Sequence, residues 1–66
     1  MNYKYKRFDN CLFRVDENGG VELCRDGKWI PYNEDDNFDV KMMGTPMSED
    51  RANQWVESEI KQPQPA

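Results

Sequence analysis

Between residues 3 and 30, apolar and aromatic positions gather in short runs broken by turn chemistry. Tyr-Lys-Tyr-Lys-Arg-Phe at 3–8 alternates and is rich in strand formers, which predicts a first strand. Asp9-Asn10 tolerates the positive φ of a two-residue hairpin turn. Residues 11–16, Cys-Leu-Phe-Arg-Val-Asp, predict a second strand, and Asn18-Gly19-Gly20 is the strongest turn signal of the chain. Val-Glu-Leu-Cys-Arg at 21–25 predicts a third strand. Asp26-Gly27 reads as a type I′ turn, and Lys28-Trp29-Ile30 opens a fourth strand. Pro31 lacks an amide proton, so that strand ends there or lies at an edge.

Burial tests the registers. A three-residue loop at 18–20 sets Val15 opposite Leu23 and puts Phe13, Val15, Val21 and Leu23 on one face. A two-residue loop would set Arg14 opposite Leu23 and mix the faces, because a one-residue slip reverses a strand. With Phe8 opposite Cys11, Leu23 opposite Ile30 and Cys24 opposite Trp29, two faces emerge. One collects Phe8, Cys11, Phe13, Val15, Val21, Leu23, Ile30 and Tyr32. The other collects Tyr3, Tyr5, Leu12, Arg14, Cys24 and Trp29.

Beyond Tyr32 the pattern changes. Asn-Glu-Asp-Asp-Asn-Phe-Asp at 33–39 reads as an acidic loop with Phe38 tucked into the core. Val40-Lys41-Met42-Met43 reads as a short fifth strand. Ser48 is a good helix N-cap, and Glu49 and Asp50 follow where carboxylates favour the helix dipole. Met47 and Ala52 stand at hydrophobic-staple positions. Ala52, Trp55, Val56 and Ile60 form one apolar stripe, the natural lid for the Phe13–Leu23 face. Gln-Pro-Gln-Pro-Ala at 62–66 reads as a disordered tail. The fold class expected is α+β: an antiparallel β-meander of three to five strands packed against one C-terminal α-helix, in a single domain over residues 1–61.

Composition supports a folded chain, because eight aromatics in 66 residues exceed what a disordered segment carries. Charge is uneven. Residues 1–32 carry six basic and five acidic side chains, and residues 33–66 carry three and eight. That imbalance argues against duplex binding, which needs a basic footprint. No segment approaches the roughly 20 apolar residues of a membrane span. Met-Asn-Tyr-Lys-Tyr-Lys-Arg has no apolar core after its charges, so no secretion signal is predicted and the cytoplasm is the expected location.

The chemistry available is narrow. Cys11 and Cys24 fall on opposite faces, so two free thiols are expected rather than a disulfide. The chain has no His and no Cys-x-x-Cys pair, so neither a zinc site nor a hydrolase triad can be assembled. Asp35-Asp36-Asn37-Phe38-Asp39 has the acid density of a calcium loop. Its sixth position is Val40 instead of Gly, and its twelfth is Pro46 instead of Glu. No enzyme activity, cofactor or metal is expected.

The run from Cys11 to Ala52 resembles a type of small uncharacterised bacterial and phage protein. The marks are Phe13-Arg14-Val15-Asp16 before the glycine turn, Gly27-Lys28-Trp29-Ile30-Pro31, and Gly44-Thr45-Pro46-Met47-Ser48-Glu49-Asp50 followed by Ala52. The resemblance implies a bacterial or phage origin and carries no functional residues.

The face bearing Tyr3, Tyr5, Arg14 and Trp29 is the candidate binding surface, because aromatics beside arginine suit a protein hot spot. The expected role is that of a non-enzymatic accessory or regulatory protein that binds another protein, with Trp29 and Tyr5 as anchors. There are three alternatives: single-stranded nucleic-acid binding through this face, an acidic mimic of nucleic acid that inhibits a host defence protein through Glu34, Asp35, Asp36, Asp39, Glu49, Asp50, Glu57 and Glu59, and a structural homodimer that buries the aromatic face between copies.

Overall fold

The computed structural model describes residues 2–61, and the tail expected at 62–66 lies outside them. Four strands form the meander: β1 (Lys4–Phe8), β2 (Cys11–Val15), β3 (Val21–Arg25) and β4 (Lys28–Pro31). A helix α1 (Asn37–Met43), a strand β5 (Thr45–Met47) and a helix α2 (Glu49–Lys61) complete the chain. The sheet order is β4-β3-β2-β1-β5 and each neighbouring pair is antiparallel. The α+β meander with its C-terminal helix is therefore the fold.

The short turns behave as their sequences require. Asp9 and Asn10 both take positive φ (54° and 60°), as do Asp26 and Gly27 (55° and 80°), so both hairpins close with two residues. The expected pairs Phe8–Cys11, Leu23–Ile30 and Cys24–Trp29 are present. The β2–β3 loop differs. Val15 pairs with Val21, not Leu23, and Phe13 pairs with Leu23. Asp16 sets this register. Its amide donates to the Gly20 carbonyl at 2.9 Å, and its carboxylate accepts the Asn18 and Gly20 amides at 2.8 Å each. Gly19, at φ 87°, then takes the left-handed position that ends a three-residue loop. The register moves by two residues, so every side chain keeps its expected face.

Two corrections concern the second half. Residues 40–43, expected as a strand, belong to α1, and the fifth strand lies immediately after, at Thr45–Met47. Its partners are on β1, with Met47 opposite Tyr5 and Thr45 opposite Arg7. The sheet thus packs against two helices rather than one. The second correction is the face that α2 covers. Ala52, Trp55 and Val56 pack with Leu12, Cys24, Tyr5, Trp29 and Met47, not with Phe13 and Leu23. The Phe13, Val21 and Leu23 face, with Phe8, Cys11, Val15 and Tyr32, is closed by Val40 of α1. Connectivity explains the exchange. The antiparallel neighbours make β4 and β5 parallel, on opposite edges of the sheet, and α1 is the crossover between them. Such crossovers have a fixed hand, which commits α1 to one face and leaves the other to α2.

Candidate functional site

Tyr3, Tyr5, Arg14 and Trp29 are brought together. Tyr5 pairs across the ladder with Arg14, and Arg14 with Glu22. The Arg14 guanidinium carbon lies 4.1 Å from the Tyr3 ring centre and 4.4 Å from that of Trp29. Tyr5 links the rings, with centroids 6.4 Å from Tyr3 and 6.1 Å from Trp29. Arg14 Nε donates to Glu22 Oε1 at 2.7 Å. The cation is therefore stacked on two rings and neutralised by a cross-strand carboxylate. Tyr5 and Trp29 in turn pack into the cluster under α2. Tyr5 and Trp29, the expected anchors, thus pack between the sheet and α2, and all four residues are half-buried.

The thiols lie apart, as the register requires. Cys11 sits on the α1 side and Cys24 on the α2 side, both free. Glu59 of α2 ties down the β3–β4 turn. One carboxylate oxygen accepts the Asp26 amide at 3.0 Å, and the other accepts the Cys24 thiol at 3.4 Å. Burial, reinforced by the Glu59 hydrogen bond, pushes the Cys24 thiol from 9.0 up to about 12. A thiol held protonated at neutral pH is a poor nucleophile. Cys24 and Glu59 line an open cleft with Leu12, Trp55 and Ser58. Among the described residues no cluster of three or more His, Cys, Asp or Glu is arranged to hold a metal ion. No described helix is long and apolar enough to cross a membrane.

The outer face of α1 was not expected. Val40 is the helix's one buried side chain, fully enclosed. Phe38 and Met42 stand two residues to either side of it, about 160–200° around the helix. They point away from the sheet and are 68% and 66% exposed, and neighbouring Met43 is 73% exposed. The expectation that Phe38 is tucked into the core is thus reversed, because Val40 occupies that position. Asp39, next to Phe38 in the first turn of α1, and Glu34 and Asp35, just before the helix, are exposed. Lys41, on the other flank, is half-buried and lies against Gly19, and its carbonyl accepts the Lys6 ammonium at 2.6 Å.

The signal for this helix is present but short. Phe38 and Met42 have i,i+4 spacing around Val40, Asp39 lies in the first turn and Lys41 in the last. Seven residues give too few repeats to separate a helical from a strand period.

No protein-family model, curated protein or solved structure matches this chain.

Proposed function

We propose that this chain is a non-enzymatic accessory or regulatory module that binds another protein through the outer face of α1. One observation carries the reading: a seven-residue helix buries a single side chain and leaves Phe38, Met42 and Met43 in water. Three large apolar side chains side by side on a small domain mark an interaction surface. Full burial of one such side chain is worth about 1.5–3 kcal/mol. Met side chains also adapt to irregular partner surfaces. Two free thiols suit a reducing compartment such as the cytoplasm.

The test compares affinity captures from a host lysate by the wild-type chain and by Phe38→Asp/Met42→Asp, with mass-spectrometric identification. A defined protein recovered by the wild type and lost from the variant is expected. Equal recovery by both removes α1 from the interface and with it this reading.

A further inference from the structure

We infer that the partner presents a cationic amphipathic helix, with apolar side chains on one face flanked by Lys or Arg, and that this helix docks on the outer face of α1. The inference rests on the protein-binding reading above and specifies what it binds. The shape comes first. Phe38 and Met42 form an i,i+4 ridge with Met43 beside it, and such ridges pack into the grooves of a second helix. Charge complementarity selects the occupant. Asp39 stands beside Phe38 in the first turn of α1 and Glu34 and Asp35 just before the helix; all three are exposed, and none has an ion-pair partner among the described residues, where the one ion pair is Arg14–Glu22. The flanking Lys41 is half-buried and turned toward the Gly19 loop, so the charge displayed beside the ridge is negative.

That display disfavours the other occupants. A second copy would bring two acidic rims together, in a chain of net charge −4. A nucleic-acid backbone or an anionic bilayer would meet the same repulsion. A Lys- or Arg-flanked apolar helix meets attraction at the rim and burial at the centre.

The probe is an 18-residue peptide of Leu and Lys in helical amphipathic order, titrated into the full chain by calorimetry and by amide chemical-shift mapping. Its counterpart has Glu in place of Lys. The Leu/Lys peptide is expected to move the amides of residues 37–43 and to bind at least tenfold more weakly to Phe38→Ser/Met42→Ser. Asp35→Asn/Asp39→Asn should weaken it severalfold, and affinity should fall as salt rises from 50 to 500 mM. All four are surface changes, and an unchanged denaturation midpoint verifies that the variants fold.

Equal binding to Phe38→Ser/Met42→Ser overturns the inference, because the attraction would then be charge alone. Shifts confined to other elements overturn it, as does an absence of binding. Capture of the chain through Phe38 and Met42 by vesicles of phosphatidylcholine and phosphatidylglycerol overturns it in favour of a lipid surface. If the Leu/Glu peptide binds the α1 face instead, the cationic assignment falls while the protein-binding reading stands. That reading is tested separately by the capture comparison.

Discussion

The two faces of the sheet hold their helices by different means. On one, α2 spans 13 residues, starts from a side-chain cap and ends tied to a turn. The Ser48 hydroxyl accepts the Arg51 amide at 3.2 Å, and Glu59 holds the β3–β4 turn at the far end. Between these ties Ala52, Trp55 and Val56 face Leu12 and Cys24. On the other face α1 has seven residues, no side-chain cap and one buried side chain. The carboxylate of Asp36, at its N-cap, is engaged elsewhere, accepting the Tyr32 hydroxyl at 2.6 Å. Two polar tethers, Tyr32–Asp36 and Lys6 to the Lys41 carbonyl, fix it to the sheet. The contrast separates a lid built for stability from one whose apolar residues point outward. A helix selected only as a lid would turn Phe38 or Met42 inward.

The sharpest test of this contrast is to empty each core in turn. Leu12 is fully buried under α2, and Leu12→Ala should cost about 3 kcal/mol, a large share of the stability of a domain this small. Val40→Ala, under α1, should cost about 2 kcal/mol for two lost methyl groups and their cavity. Denaturant midpoints followed by Trp29 and Trp55 fluorescence measure both. Hydrogen exchange adds a qualitative difference. The Val40 and Gly44 amides should exchange by local opening of α1, well before the Ala52 amide of α2. Equal protection of the two helices would dissolve the distinction.

The ends of the helices give effects of about 1 kcal/mol. Ser48→Ala removes the side-chain acceptor at the start of α2 and should cost about that much. Tyr32→Phe removes the Asp36 tether and should cost a similar amount or less, since the bond is partly solvated. The two differ in where they act. Tyr32→Phe should raise exchange in α1 alone, and Ser48→Ala in the first turn of α2.

Most of the meander could be read from residue order. Asp9-Asn10 and Asp26-Gly27 dictate two-residue turns, and alternation then assigns every side chain to a face. A two-residue error at Asp16–Gly20 did no harm, because face assignment depends only on parity. Ser48 and the Ala52–Trp55–Val56 stripe made α2 equally plain. What local pattern leaves open is which face a helix covers. That depends on β5 returning to β1 across the whole sheet, a contact between residues about forty positions apart. The same gap conceals that α2 rests against Tyr5 and Trp29. Tyr5 and Trp29 appeared free only while α2 was assigned to the opposite face. Phe38 appeared buried only while Val40 was assigned to a strand.

Alkaline pH probes both faces more gently, through Cys24 under α2 and Tyr32 beside α1. Burial and Glu59 raise the Cys24 thiol to about 12, and hydrogen bonding to Asp36 raises the Tyr32 hydroxyl to about 12 from 10.0. Both groups bind their protons more tightly folded than unfolded, so their contribution is complete below pH 9 and is lost as pH climbs toward 12. Stability should therefore be insensitive to these groups from pH 7 to 8.5 and decline above 9. Cys24→Ala should flatten the first part of that decline and Tyr32→Phe the later part. In the native state at pH 8, maleimide should label half-exposed Cys11 well before buried Cys24.

The smallest stability effect expected belongs to the residues with the largest proposed role. Phe38 and Met42 project into water, so Phe38→Ser and Met42→Ser lose little folded-state contact. Each should shift stability by no more than about 0.5 kcal/mol, the range of ordinary surface substitutions. Ser lowers helix propensity slightly and removes an i,i+4 apolar pair, two small penalties. Against them stands reduced self-association through an exposed apolar patch, which should appear as higher solubility. The diagnostic result is the combination: unchanged denaturation midpoints, unchanged α1 exchange and lost partner binding. A loss of 2 kcal/mol or more in either variant would instead make Phe38 and Met42 part of the lid. The two faces would then be alike, with both helices serving the core.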